Sequence, residues 1–157
     1  MAYSMLVDLD RCIGCYACEV ACKQEHDIPV GPRWIRVVQN GPREVAGGLQ
    51  LDYYPQMCKH CEYPDCAEVC AEEAIVRGED GIVSIDPDRC TGCEACVPAC
   101  PYGLMEFDRD AEKASKCDLC AARMQEGLEP SCVACCPGKA LTFSENVSEG
   151  PRMMRLI

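Results

Sequence analysis

The chain has 157 residues, 17 of them cysteine, a formal net charge of −11, one Trp and two Phe. It has no clustered Lys and Arg of the kind that phosphate binding requires, so nucleic acid is not expected as a partner. No apolar run approaches the roughly eighteen residues needed to cross a bilayer, and the opening MAYSMLVDLD lacks the basic start and apolar core of a signal peptide. A soluble, cytoplasmic protein is the expectation.

In chain order, the first element is a strand-like run over 4–8. It leads into Cys12, Cys15, Cys18 and Cys22, spaced C-x2-C-x2-C-x3-C. Residues 23–50 contain no cysteine and carry Pro29, Gly31, Pro32, Gly41, Pro42, Gly47 and Gly48. Turns and extended chain are expected there, with a strand over 34–38. Arg33, Arg36 and Arg43 make this stretch locally basic, so it reads either as a solvated connection or as a docking surface for a partner. The second group is Cys58, Cys61, Cys66 and Cys70, spaced C-x2-C-x4-C-x3-C. Residues 74–77 and 82–85 are short apolar-rich runs joined through Asp80-Gly81, which predicts a β-hairpin. The third group is Cys90, Cys93, Cys96 and Cys100, with Pro101 following. The fourth is Cys117, Cys120, Cys132 and Cys136, with Pro137 following and eleven residues inside the group. A last strand is expected over 140–143, where it could pair with the strand at the start of the chain.

Four sets of four cysteines are an internal repeat, and sixteen of the seventeen cysteines belong to it. The hydrophobic fraction of 48% counts cysteine, so the apolar core is thin and a chain of this size needs cross-links or metal. Disulfides fit poorly, because the cysteine number is odd and no secretory signal precedes the clusters. Zinc is the chemical rival, since the C-x2-C pairs of groups two and four match zinc knuckles. Groups one and three do not: three cysteines at x2 spacing and a fourth at x3 form the run that wraps a [4Fe-4S] cube. Gly14 and Gly92 occupy the same place in their groups, where a glycine lets the backbone approach closely. Cys135 is surplus and is expected to be a small buried side chain, with a register slip from Cys136 as the alternative. His26 and His60 are not needed for the ligand count. No nucleophile–base pair, phosphate loop or nucleotide fingerprint is present, so the chain is not expected to be an enzyme by itself.

The run from Cys90 to Pro101 resembles bacterial two-cluster ferredoxins, in which the fourth cysteine of each motif serves the other cluster. That resemblance implies one cluster on Cys90, Cys93, Cys96 and Cys70, and another on Cys58, Cys61, Cys66 and Cys100. It also implies one on Cys12, Cys15, Cys18 and Cys136, and a fourth on Cys117, Cys120, Cys132 and Cys22. The expected fold is α+β: two nested ferredoxin-like modules with two clusters each. The inner module would span 51–107, and the outer 1–22 plus 108–145. Residues 23–50 would be a connecting or docking insertion, and 146–157 a tail.

DLDRCIGCYACEVACKQEH, CKHCEYPDCAEVC, DPDRCTGCEACVPACPYG and KCDLC…PSCVACCPGKAL together resemble the four-cluster iron–sulfur subunits of molybdenum and tungsten pterin oxidoreductases, the dimethyl-sulfoxide-reductase iron–sulfur subunit family. The resemblance covers residues 4–143. It implies an electron-transfer subunit in a hetero-oligomer with a large Mo/W-pterin catalytic subunit and a flavin- or quinone-linked partner. Lys23 is common in this family after the first group, whereas Ala71 departs from the proline that often follows a fourth cysteine. The short chain is most similar to the small subunits of soluble complexes such as tungsten aldehyde oxidoreductases. A free-standing polyferredoxin and a zinc-binding interaction module are the alternatives. Each cluster with its thiolates adds about −2, which would take the formal charge of −11 to about −19. If the clusters are the core, chain stripped of iron and sulfide should be largely unfolded; a cooperative melt of the stripped protein would contradict this.

Overall fold

The computed structural model describes residues 3–144 and 151–157. In chain order these form β1 (Ser4–Asp8), α1 (Ala17–Glu25), β2 (Ile35–Val45), β3 (Gly48–Met57), α2 (Asp65–Glu68), β4 (Ile75–Arg77) and β5 (Val83–Ile85). There follow α3 (Cys96–Ala99), β6 (Glu106–Asp108), β7 (Lys113–Ser115), α4 (Ala121–Gln125), α5 (Ser131–Ala134), β8 (Leu141–Ser144) and β9 (Met153–Arg155). The fold mixes short helices with short antiparallel strands, as the α+β expectation requires.

Met5, Leu6 and Val7 are consecutive apolar residues, and all three are completely buried. A run without alternation suits a strand covered on both faces. β1 is the centre of a three-stranded sheet ordered β8-β1-β9. Its pairing with β8 runs from Ser4↔Ser144 to Val7↔Leu141, so the two ends of the cysteine-bearing region meet as expected. On its other edge Leu6, Val7 and Asp8 pair with Arg155, Met154 and Met153.

That second pairing differs from the expectation of a tail over 146–157. Residues 146–150 lie outside the described residues, but Met153–Arg155 close the open edge of β1. Leu156 is 1% exposed in the core, and its backbone N–H donates to Met5 O at 2.7 Å. A second difference concerns 23–50. Its latter half is one arm of a long hairpin, paired from Ile35↔Met57 to Val45↔Gly48 with an irregularity between Asn40 and Arg43. β3 runs through position 51. The three arginines of this stretch pair within the chain: Arg33 with Glu19 at 3.8 Å, Arg36 with Glu106 at 2.8 Å and Arg43 with Asp52 at 2.6 Å. Arg152 joins the same network, reaching Asp10 and Asp52 at 2.5 Å each.

The hairpin expected around Asp80-Gly81 is β4–β5, in the register Ile75↔Ile85 to Arg77↔Val83. A like hairpin, β6–β7, follows the third cysteine group. Two apolar clusters form the core. The first gathers Met5, Val7, Ile35, Met57, Ile82, Leu119, Leu141 and Leu156. The second gathers Ile75, Val83, Met105 and Ala114 beneath the two short hairpins. Adjacent residues Ile82 and Val83 thus serve different cores. Leu156→Ala should lower stability by about 2–5 kcal/mol, the usual cost of a fully buried Leu→Ala change, read as a lower denaturant midpoint.

Candidate iron–sulfur sites

Each cysteine group is built on the same local frame. The third cysteine sits in a short helix: Cys18 in α1, Cys66 in α2, Cys96 in α3 and Cys132 in α5. The fourth follows four residues later, and residues four apart lie on one side of a helical turn. Before groups one and three, an aspartate pins the approaching chain. Asp8 Oδ1 accepts from Asp10 N–H and Asp86 Oδ1 from Asp88 N–H, each at 2.9 Å. The carbonyls of the same aspartates accept from the N–H groups of Cys12 and Cys90.

Two residues after each first cysteine the backbone is left-handed: Gly14 at φ 64, His60 at φ 45, Gly92 at φ 74 and Leu119 at φ 58. At Gly14 a Cβ would lie 2.6 Å from the Tyr53 ring, and at Gly92 it would run into the Glu112 carbonyl. The glycines singled out in the sequence are therefore two members of a set of four. His60 and Leu119 carry no such signal, because a non-glycine residue in this region is uncommon.

The turn directs N–H groups at sulfur. His60 N–H donates to Cys58 Sγ at 3.5 Å and Leu119 N–H to Cys117 Sγ at 3.4 Å. At the other end of the groups, the N–H groups of Ala74, Leu104 and Ala140 donate to the sulfurs of Cys70, Cys100 and Cys136 at 3.3, 3.4 and 3.3 Å. Cys22 is the exception. It lies inside α1, and the N–H four residues on, that of His26, is spent on the Cys22 carbonyl. The His26 ring compensates nearby: its Nε2 lies 3.3 Å from Cys120 Sγ and 3.5 Å from Asp118. It packs on Trp34 with ring centroids 4.6 Å apart. Ser131 Oγ lies 3.6 Å from the same sulfur.

The thiols gather in four places. Cys12, Cys15, Cys18 and Cys136 line one cavity. Cys58, Cys61, Cys66 and Cys100 line a second, and Cys70, Cys90, Cys93 and Cys96 a third. In the first core, Cys22 lies near Cys120, and Cys117 and Cys132 each lie near Cys22, close enough for their thiolates to repel one another. Three cysteines of one group thus meet the fourth of another in every set.

Burial, first, pushes the thiols of Cys18 and Cys22 up to about 12 and those of Cys66 and Cys96 up to about 11. Cys117 and Cys132 are raised well above the usual thiol value, again chiefly by burial. Thiols this deep stay neutral unless a positive core binds them as thiolates. A single zinc ion would hold four sulfurs at about 2.3 Å, packed against one another. Among the described residues the one tight set of possible ligands is His26, Asp118 and Cys120, with ligand atoms within 4.8 Å; no three thiols are packed that closely. Four thiols spread around an apolar cavity, with N–H donors aimed at sulfur, fit a cluster with one thiolate on each iron.

Cys135 is exposed, not buried as expected. The chain leaves α5 at this residue, and Ser131, Cys132 and Val133 take the inward side. His60 is buried and its Nδ1 accepts from Val83 N–H at 3.0 Å, which leaves the ring proton on Nε2. Burial, then the charge of Lys116, holds its pKa down to about 3.

A family model described as a 4Fe-4S dicluster domain matches residues 49–146, and one described as a 4Fe-4S binding domain matches residues 3–24. The chain is 37% identical to a protein of Halobacterium salinarum named as the iron–sulfur subunit of a dimethyl sulfoxide reductase, over 91% of this chain and 66% of that one. It is 41% identical to a protein of Salmonella typhimurium named as a subunit of tetrathionate reductase, over 88% of this chain and 56% of that one. It is also 41% identical to the thiosulfate reductase electron transfer subunit PhsB of Salmonella typhi, over 90% and 74%. The chain therefore spans less than two thirds of the length of the first two. No helix among the described residues is long and apolar enough to cross a membrane. The chain binds multiple [4Fe-4S] clusters and belongs to the 4Fe-4S dicluster domain family, and relatives of it are named as iron–sulfur or electron transfer subunits of reductases.

Proposed function

We propose that the chain holds four [4Fe-4S] clusters in two interlocked pairs. In this reading it relays single electrons between a Mo- or W-pterin catalytic subunit and a second, flavin- or quinone-linked redox partner. The observation that carries the reading is the composition of the thiol sets. Each cavity is lined by three cysteines of one group and the fourth of its counterpart.

The ligand sets are then Cys12, Cys15, Cys18 and Cys136; Cys22, Cys117, Cys120 and Cys132; Cys58, Cys61, Cys66 and Cys100; and Cys70, Cys90, Cys93 and Cys96. When bound, each cluster supplies a site that accepts and gives up one electron. The chain's own residues hold the thiolates, direct N–H groups at sulfur and keep water from the deeper sulfurs. The inner pair would occupy the module around the two short hairpins, and the outer pair the module built from both chain ends. Two apolar clusters with separate memberships support that division. The acidic balance, deepened by the clusters, favours a basic surface on the partner.

The loaded protein should contain about sixteen iron and sixteen sulfide per chain. Colourless protein with stoichiometric zinc would overturn the reading. Cys70→Ser should alter the same electron-paramagnetic-resonance signal as Cys90→Ser, and Cys100→Ser the same signal as Cys58→Ser. The opposite grouping would show that each cysteine group serves its own cluster.

A further inference from the structure

We propose that Lys116 joins two of the four clusters electrostatically. Its ammonium is the counter-charge shared by the set on Cys58, Cys61, Cys66 and Cys100 and the set on Cys22, Cys117, Cys120 and Cys132, and it raises the potential of both. This rests on the four-cluster reading above.

Lys116 is 3% exposed, an unusual place for an ammonium. Buried lysines are normally paired with a carboxylate, and no carboxylate lies within ion-pair distance of this one among the described residues. Asp118, the acid closest in sequence, faces His26 at 3.5 Å. The neighbouring ring of His60 is neutral and offers no counter-charge. The ammonium has three N–H donors. One goes to Val83 O and one to Cys117 O at 2.9 Å. The third has no partner among the described residues.

Its position supplies what it lacks. Lys116 lines the cavity of Cys58, Cys61, Cys66 and Cys100, and it immediately precedes Cys117 of the other set. Its ammonium thus sits against the backbone of Cys117 and on the wall of the cavity that holds Cys66, one residue from each set. The carbonyl that anchors it belongs to Val83, at the point where adjacent residues Ile82 and Val83 enter different cores. The lysine therefore stands at the junction of the inner and outer halves. A cation buried without a carboxylate is costly, and an apolar side chain would pack more cheaply. Two anionic clusters on either side account for its being there. A fixed positive charge favours the more negative, reduced state of each neighbour, so it lifts both potentials.

Lys59 is the internal control. It lines the same cavity, but its ammonium donates to Leu156 O at 2.7 Å, and in sequence it stands between Cys58 and Cys61, both of one set. Lys59→Met should move one cluster where Lys116→Met moves two.

The test is a redox titration of the cluster-loaded protein followed by electron paramagnetic resonance, after iron and sulfide analysis of each variant. In Lys116→Met and Lys116→Gln the reduced-to-oxidised ratio at fixed solution potential should fall about tenfold or more for two clusters, about 59 mV for a one-electron couple. The other two clusters should move less than threefold, and Lys116→Arg should stay near the parent protein. Four loaded clusters with unmoved potentials, or with all four shifted alike, would overturn the role of Lys116 and leave the four-cluster reading intact. If the neutral variants fail to load while Lys116→Arg loads fully, the charge itself is required, as proposed. Failure of Lys116→Arg as well would assign the residue to packing and overturn the proposal. An iron count short of four clusters in the parent protein would instead sink the reading on which the inference rests.

Discussion

Everything in this molecule depends on thiols gathered in sets of four, each with at least one sulfur drawn deep into the protein. Sulfur is pulled out of water at the inner ends of short helices, and burial holds the deeper thiols in their neutral form. Left that way, the space they surround would be an apolar void, which a chain with this little aliphatic and aromatic mass cannot tolerate. A cluster changes both accounts together. It fills the cavity, and its iron compensates the thiolates that burial alone would forbid. The apolar side chains then form a thin shell around inorganic cores.

The second consequence is connectivity. A C-x3-C turn directs its two sulfurs toward different cavities while leaving them on one helical turn, so each helix is a wall between two sites. That ties elements distant in sequence. Cys22 meets Cys117, Cys120 and Cys132, and Cys136 meets Cys12, Cys15 and Cys18. Both of these sets bring together cysteines from opposite ends of the sequence. The sheet β8-β1-β9 and the contacts of Arg152 with Asp10 and Asp52 bring those ends together.

The four sites are alike in frame and different in surroundings, and the differences are what tune potentials. Three fourth cysteines accept a backbone N–H; Cys22 does not. The set containing Cys22 has instead a histidine ring and a serine hydroxyl beside Cys120. Lys116 is buried against the carbonyls of Val83 and Cys117, where the two apolar clusters adjoin. The pattern grades the environment along the molecule without altering the ligands.

The cysteine spacings, read alone, determined the cluster type, and the Asp80-Gly81 pair determined the β4–β5 hairpin. These features are local, since a C-x2-C-x2-C loop or an Asp-Gly turn needs only a few consecutive residues to set its geometry. Tertiary structure decided the rest. Leu156 and β9 look like a tail because three residues carry too little periodicity to announce a strand, and only the unpaired edge of β1 makes them one. His60 and Leu119 adopt the backbone of Gly14 and Gly92 because cluster-binding loops of one shape recur, not because their side chains favour it. Arg33, Arg36 and Arg43 form a basic run in sequence and separate ion pairs in space, since their partners come from other elements. Cys135 lies on the outer side of the turn beside Cys136, a choice made by where α5 ends. The meaning of Lys116 was also hidden: a lysine before a cysteine is ordinary in sequence, and only packing shows it buried without an acid.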